Sequence, residues 1–452
     1  MSLDPLEGAL SPGALVRDPG VIAGYAEDWS RYPPTGSASA LVRATTEADV
    51  RATLSFANEA RIPVVPRGAG SGLSGGATAV EGAIILSLER MAAIRVDQTM
   101  RVAVAQAGAL NVAVKKAAAA AGLWYPPDPS SFEICSIGGN AATNAGGMCC
   151  VKYGVTSDYV LGMRVALADG TLLDLGGPRL KDSAGLSLTK LFVGSEGTLG
   201  VITELTLRLL PMPCPSSTLV AFFREMKGAV AAVTEAVAVT RPSTLELMDD
   251  VSLNAVEDML SMGLDRSAGA LLICCSDAPE ETARAELSHV EAVCARHGAA
   301  EVYVTTDPAE SEAFLAARRA ALPALERKGN LLIEDIGVPI PCLDRLVERV
   351  REIATTTGVE IAVIAHAGDG NTHPTIVYDA SDEKEACRAR SAFDAVMALA
   401  LELGGTITGE HGVGRFKQPW LEGYLGEEVA QVSRRIKAAL DPAGILNPGA
   451  MF

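Results

Sequence analysis

The chain contains no apolar run approaching the roughly 20 residues that a bilayer-crossing helix requires, because charge, glycine or proline interrupts every few positions. A membrane-inserted protein is not expected. No CxxC pair is present, and the nine cysteines are scattered, with Cys149 beside Cys150 and Cys274 beside Cys275. That pattern argues against a zinc knuckle and suits reduced thiols better than a disulfide framework. Cysteines spaced for an iron–sulfur centre are also missing. Positive charge is in deficit: a formal net charge of -17 repels polyphosphate backbones and anionic lipid, which removes nucleic acid and stable lipid docking from the candidate partners. The N-terminus, MSLDPLEGALSPGALVRD, lacks a charged region followed by an apolar core, so no signal peptide is expected and the reading is cytoplasmic. Histidine is scarce, at five residues.

What is present is a globular composition. With 452 residues, 48% of them hydrophobic, the chain can bury a large core, in two domains or one with a large insertion. Thr46 and Asp49 fit a capping box, and Val50, Leu54 and Ala57 follow at helical spacing, which predicts a helix over 46–60. A strand over 62–65 then enters a glycine run, and a second helix is expected over 110–121. The stretches WYPPDPSS and SIGGNAATNAGGMCC read as ordered loop. MRVALADGTLLDL and VITELTLRLLP alternate like strands of hairpins. Residues 1–212 therefore form one α+β unit. After PMPCPSS, strands alternate with Ala/Glu-rich helices in a second, α/β unit over 213–405. Residues 406–452 hold a helix over 429–439 and close in turns.

The run VVPRGAGSGLSGGA spells Gly70-x-Gly72-x-x-Gly75, the letters of a Rossmann fingerprint. A Rossmann site needs a helix to start inside the run, with an acidic residue about 20 positions on. Here ATAVEGAIILSL follows, which reads as a turn and a strand, so nicotinamide-dinucleotide binding of that kind is rejected. What remains is the physical content: successive glycines let backbone N–H groups approach an anion. SIGGNAATNAGG and VGSEGTLG are two further small-residue loops, and three such loops suggest one long cofactor.

These motifs, PRGAGSGLSGGA, PPDP with SIGGNAATNAGG, and LFVGSEGTLGVITE, resemble the FAD domain of the vanillyl-alcohol oxidase/p-cresol methylhydroxylase family. Over nearly its full length the chain is most similar to the branch of FAD-linked D-2-hydroxy-acid dehydrogenases. The resemblance implies an α+β fold: a two-part FAD-binding domain, made of 1–212 and the returning segment 406–452, with an inserted α/β substrate domain over 213–405 and the active site between them. It implies that Pro66, Arg67, Gly68, Gly70, Ser71, Gly72, Gly75 and Gly76, with Pro127, Ser136, Gly138, Gly139, Asn144, Gly146 and Gly147, wrap the FAD pyrophosphate. Gly154, Glu196, Gly200, Val201 and Ile202 would complete the cleft, and Asn447 would lie by the flavin or simply form a turn. Family members that attach FAD covalently use a histidine in the first loop; Ser71 stands in that loop here, so non-covalent FAD is expected.

Three of the five histidines fall in HAGDGNTH and TGEHGVG. His366 and His373 alone could form a structural loop; Glu410 and His411 add a carboxylate and a third imidazole, the donor mix of an open catalytic metal site. The resemblance makes His366, His373 and Glu410 ligands of a divalent metal, Zn²⁺ with Mn²⁺ or Fe²⁺ as alternatives, and His411 the catalytic base. His289 and His297 read as surface residues. Loss of hydride from C2 of a hydroxy acid requires loss of the hydroxyl proton, which an imidazole accepts near neutral pH. Arg318, on a predicted helix, matches the family's carboxylate-binding arginine and could otherwise be a solvated helix-face residue. Members acting on 2-hydroxyglutarate carry a lysine where this chain has Ile333, which favours a short acid such as D-lactate or glycolate. The expected partners are that acid and an electron acceptor (a quinone, cytochrome or electron-transfer protein, with transient contact at the inner membrane face), and a homodimer is common among relatives. Rival readings are an alkylglycerone-phosphate-synthase-like transferase, against which stands the absence of a peroxisomal ending at Ala450-Met451-Phe452, a flavoprotein subunit dependent on partner subunits, and a metal-dependent hydrolase without flavin.

Overall fold

The structure, a computed structural model, describes residues 2–30 and 34–452. The chain divides into two compact units, the first of Met1–Gly146, Val155–Met212 and Glu410–Phe452, the second of Gly147–Gly154 and Pro213–Gly409.

The first unit holds two sheets. The strands Ala40–Arg43, Ile84–Ser87 and Val64–Arg67 pair in parallel in that order, and Leu15–Val16 adds an antiparallel edge. The helix Glu47–Ala60 connects the first and third of these. Its capping box forms as the sequence predicts, and Val50, Leu54 and Ala57 are buried against Val42, Val64, Ile84 and Leu86. The predicted strand over 62–65 is displaced to Val64–Arg67, because Arg61 turns left-handed and the Ile62 N–H returns to the Ala57 carbonyl to close the helix. Leu446 bridges Val64 in parallel, so the C-terminal segment extends this sheet. The second sheet is antiparallel, in the order Ile94–Asp97, Val102–Gln106, Val201–Arg208, Val160–Ala166, Leu172–Gly176.

A further expectation fails. The segment Ile137–Thr143, read as loop for its glycine and asparagine, is a helix. Ser136 caps it by accepting the Gly139 N–H, and Asn144 ends it in the left-handed conformation at φ 55°. A Cβ on Gly138 would lie 2.5 Å from the Ala107 side chain. Glycine is thus required here by close contact, and the low intrinsic helix propensity is overridden.

The second unit is one antiparallel sheet. Its order is Ala299–Thr305, Ser217–Phe223, Ala270–Ser276, Thr244–Asp249, Glu360–His366, Asn371–Tyr378, Asn330–Ile333, with Ile336–Gly337 also pairing the sixth strand. Helices alternate with these strands, and the strand Ala270–Ser276 is buried at every position, as a sheet covered on both faces requires.

Asp49, the N3 residue of the capping box, accepts from the backbone N–H groups of Ser11, Thr45 and Thr46 and from the Thr45 hydroxyl at 2.7–3.0 Å. Burial pushes its pKa up, but these donors outweigh burial and hold it at about 2. Its stabilisation is therefore present above the ordinary value of 3.8 and lost as pH falls towards about 2. Asp49→Ala is predicted to cost ~2–4 kcal/mol, since a cap is lost and several donors are orphaned. Unfolding of both proteins at pH 7 and near pH 2 checks this, with the gap closing in acid.

Candidate flavin site and buried charge chain

The first glycine loop leaves its backbone donors available. Ala69 N–H goes to the Ser136 hydroxyl at 3.3 Å and Ala77 N–H to Asp28 at 3.3 Å. Between them, among the described residues, no acceptor takes the N–H of any residue from Gly70 to Gly76. Such a run of unspent donors is an anion cradle, which fits a dinucleotide pyrophosphate. Arg67 lies beneath it, buried, with one guanidinium nitrogen on the Glu27 carbonyl at 2.8 Å.

The second loop behaves differently. Gly138 N–H is spent on the Ala107 carbonyl at 2.8 Å, and Gly139 N–H on Ser136. A Cβ on Gly68 would lie 2.1 Å from the Ser136 hydroxyl. Ser136, Gly138 and Gly139 therefore support the cradle from behind. Asn144 is held through Ser157, and Pro127 accepts from Asn111. Val201 and Ile202 are ladder residues of the antiparallel sheet with buried side chains, and Gly200 abuts Val165. Gly147 and Gly154 fall in the second unit, while Gly146 stays in the first.

A polar knot ties these loops together. Asn447, buried and left-handed at φ 42°, donates to the carbonyls of Gly76 and Glu196 at 2.8 and 2.7 Å and accepts from Arg415 at 2.6 Å. Asn447 does form a turn, its carbonyl accepting from Ala450 N–H at 3.2 Å, and its side-chain amide joins the loops around it. Arg415 also donates to the carbonyls of Gly75 and Thr78 at 2.8 and 2.7 Å. Burial lowers its pKa to about 10, with Asp28 and Glu196 opposing, so it stays charged at neutral pH. Glu196, left-handed at φ 52°, gives its two carboxylate oxygens to the N–H groups of Val413 and Gly414, each at 2.7 Å. Burial raises its pKa to about 7 against those bonds and Arg415.

In the second unit the sheet register creates a charge chain. Glu246 stands directly opposite His366 in the ladder, fully buried, with one oxygen 2.8 Å from His366 Nδ1 and the other 2.7 Å from Arg318 Nη2. Arg318 sits in the last turn of the helix Pro308–Arg319 and is buried, so it is no solvated surface arginine. Among the described residues its Nε has no hydrogen-bond partner. His373 pairs with Ile364, which puts it on the same face as His366, with ring centroids 5.2 Å apart. Its Nδ1 is 3.3 Å from the Glu334 carbonyl. Asp335, also buried, accepts from the Thr408 hydroxyl at 2.6 Å and from Gly409 N–H at 3.0 Å. His411, in the first unit, has Nε2 3.8 Å from the Glu410 carboxylate and a carbonyl that accepts from Ser74 at 3.1 Å. His289 is exposed and His297 pairs with Glu235 at 2.7 Å.

Sequence reasoning missed Glu246, Asp335 and Arg415. Glu246 carries a visible signal, an acid flanked by Leu245 and Leu247 in the middle of the strand TLELMD. Arg415 follows TGEHGVG directly, yet nothing local shows which carbonyls it reaches.

A first glycine loop of unspent donors in which no helix starts, joined to the C-terminal segment, fits an FAD-dependent oxidoreductase of the vanillyl-alcohol oxidase/p-cresol methylhydroxylase fold. Solved structures agree on the fold: 4-ethylphenol oxidase from Gulosibacter chungangensis superimposes with a TM-score of 0.82, covering 99% of this chain and 96% of that one at 18% identity, and p-cresol methylhydroxylase gives 0.82 at 17% identity with the same coverage. The FAD binding domain profile matches residues 38–176, and the profile of the C-terminal domain of FAD linked oxidases matches 212–451. The chain belongs to the FAD-linked oxidase family. It is 42% identical to glycolate oxidase subunit GlcD of Bacillus subtilis, over 89% of this chain and 87% of that protein. It is 37% identical to D-lactate dehydrogenase of Archaeoglobus fulgidus, over 90% of each.

Asn447→Ala is predicted to weaken FAD retention about tenfold or more, because Arg415 and two carbonyls lose buried partners. Flavin content after gel filtration, compared with wild type, checks this; Asn447→Gly relieves the backbone strain but is expected to restore little.

Proposed function

We propose that this protein oxidises a small D-2-hydroxy acid, of the D-lactate or glycolate type, to the 2-oxo acid. The relation to a glycolate oxidase subunit and a D-lactate dehydrogenase carries the proposal. FAD, held non-covalently in a first loop that offers Ser71 and no histidine, supplies the hydride acceptor.

The residues supply binding and proton transfer. Arg318 binds the substrate carboxylate; its guanidinium is fixed at one edge by Glu246 and keeps Nε as a donor. His411 accepts the 2-hydroxyl proton. Hydride and proton leave together, and the carbonyl forms at C2. His366, His373 and Glu410 would hold a divalent cation, Zn²⁺ in the first instance, that lowers the hydroxyl pKa and orients the substrate. The donor set suits one: Glu246 on His366 Nδ1 directs Nε2 outward, the carboxylate–histidine arrangement typical of metal ligands. Ile333 is an apolar strand residue, which supports a short acid over one with a distal carboxylate.

A second reading has specific support. Several relatives are named as a subunit of glycolate oxidase, so the chain could pass electrons to partner subunits, with a quinone, cytochrome or electron-transfer protein beyond. Reduction by substrate without turnover on a soluble dye separates this reading from an autonomous dehydrogenase.

Anaerobic addition of D-lactate or glycolate is predicted to bleach the flavin band near ~450 nm, L-lactate and D-2-hydroxyglutarate to do so poorly, and prior EDTA treatment to abolish bleaching. A yellow protein unmoved by all four acids refutes the assignment. His411→Ala is expected to slow flavin reduction by about 10²–10⁴-fold. Arg318→Ala should instead raise KM by about tenfold or more; unchanged saturation removes Arg318 from substrate binding.

A further inference from the structure

Glu196 is built into the first unit at every polar atom it has. Its N–H donates to the Ala142 carbonyl at 2.8 Å, and its own carbonyl accepts from Asn447 at 2.7 Å. Each carboxylate oxygen accepts one backbone N–H, from Val413 and Gly414, both at 2.7 Å. It holds a left-handed conformation, φ 52°, that non-glycine residues adopt only where surroundings enforce it. A carboxylate buried in this way is costly, and two short charge-assisted bonds are the compensation. A flavin-binding role, expected from the sequence, leaves this carboxylate geometry unexplained, since both oxygens face the TGEHGVG segment.

That segment is fixed from both sides. The His411 carbonyl accepts from Ser74 at 3.1 Å. The Gly414 carbonyl accepts from Met451 N–H at 3.1 Å, and Phe416 N–H goes to the Ser74 carbonyl at 3.0 Å. Glycine at 414 is required by this approach, because a Cβ there would sit 1.9 Å from the Ser74 carbonyl oxygen. Between these anchors, among the described residues, the side chain that holds the N–H groups of Val413 and Gly414 is that of Glu196. Fixing the backbone from the His411 carbonyl onward constrains the direction of its Cα–Cβ bond, from which the imidazole extends.

We propose that Glu196 is a positioning residue for His411: its carboxylate clamps the turn Gly412–Gly414 to the cofactor loop and so aims the imidazole that takes the substrate proton. The inference rests on the reading of His411 as the proton acceptor, and it adds a residue that acts only through the backbone of another. A displacement of about 1 Å at a proton acceptor costs on the order of a hundredfold in rate.

The test uses the FAD-loaded full chain with Glu196→Ala and Glu196→Gln. Gln keeps one acceptor oxygen but sets an amide donor against the other N–H, so it is expected to fall between wild type and Ala. The rate of anaerobic flavin reduction at saturating substrate should drop about 10- to 100-fold in Glu196→Ala, with FAD content and apparent substrate affinity within about twofold of wild type. A second readout needs no substrate: in histidine-ring carbon–proton spectra, with His411 assigned through His411→Gln, the His411 signal should shift or broaden while those of His289 and His297 stay. Wild-type reduction rates with an unmoved His411 signal overturn the proposal, as does a rate loss that merely follows FAD loss in both variants. A moved His411 signal in a protein that no 2-hydroxy acid reduces supports the positioning and refutes the substrate reading.

Discussion

The loops of the first unit that carry the glycine cradle converge on two side chains, the half-buried Arg415 and the buried Asn447. The cradle loop, the loop around Glu196 and the C-terminal turns have almost no regular structure, so their backbone groups need partners from side chains. Arg415 supplies four donor contacts, to Gly75, Thr78, Asn447 and Pro448. Asn447 turns one of those into two more, to Gly76 and Glu196. Loops that would otherwise exchange among conformations thereby have one. The donors from Gly70 to Gly76 can then stand unspent, because the shape that presents them is held from outside the loop.

The second unit solves an analogous problem with a sheet. Glu246 is opposite His366 by register, so its position is set by ladder hydrogen bonds before any side chain is considered. One carboxylate then orients an imidazole and a guanidinium at once. A buried charge triad of this kind is poor evidence of stabilisation, since desolvation offsets much of the attraction. Its justification is orientation: His366 is left with Nε2 outward, and Arg318 is drawn off the helix surface into the interior. Glu196 and Glu246 thus do comparable work by different means, one gripping backbone donors in a loop and the other gripping side chains across a sheet.

How much of this the sequence disclosed depends on the range of the interaction concerned. The helix Glu47–Ala60 and its capping box were legible because every contact that defines them lies within one turn. The same holds for the strands of the second unit, whose apolar runs and Gly/Pro breaks are local. Ile137–Thr143 was illegible as a helix, because its glycines serve a contact with Ala107 some thirty residues earlier, on the far side of another helix. Arg318, His366, His373, Glu410 and His411 were visible as chemistry-bearing residues through the family resemblance. Glu246, Asp335 and Arg415 were not, since their meaning lies in partners reached through ladder register or through carbonyls distant in the chain, which no spacing rule encodes.

The glycine run shows the difference between a motif and its mechanism. By letters, Gly70-x-Gly72-x-x-Gly75 is a Rossmann fingerprint, yet no helix starts within it and the strand Ile84–Ser87 follows. In a Rossmann turn the helix itself aims the donors at the phosphate, so the helix N-terminus is indispensable. Here the loop is held by Ser136 at its start and by Arg415 and Asn447 at its far end. The glycines serve the same purpose in both, close approach of N–H to an anion, but the scaffold that holds them is different. The segment that completes this scaffold is the C-terminal one, which enters the sheet beside Val64. The scaffold of the glycine loop therefore draws on residues far apart in sequence, Ser136 on one side and Arg415 and Asn447 on the other.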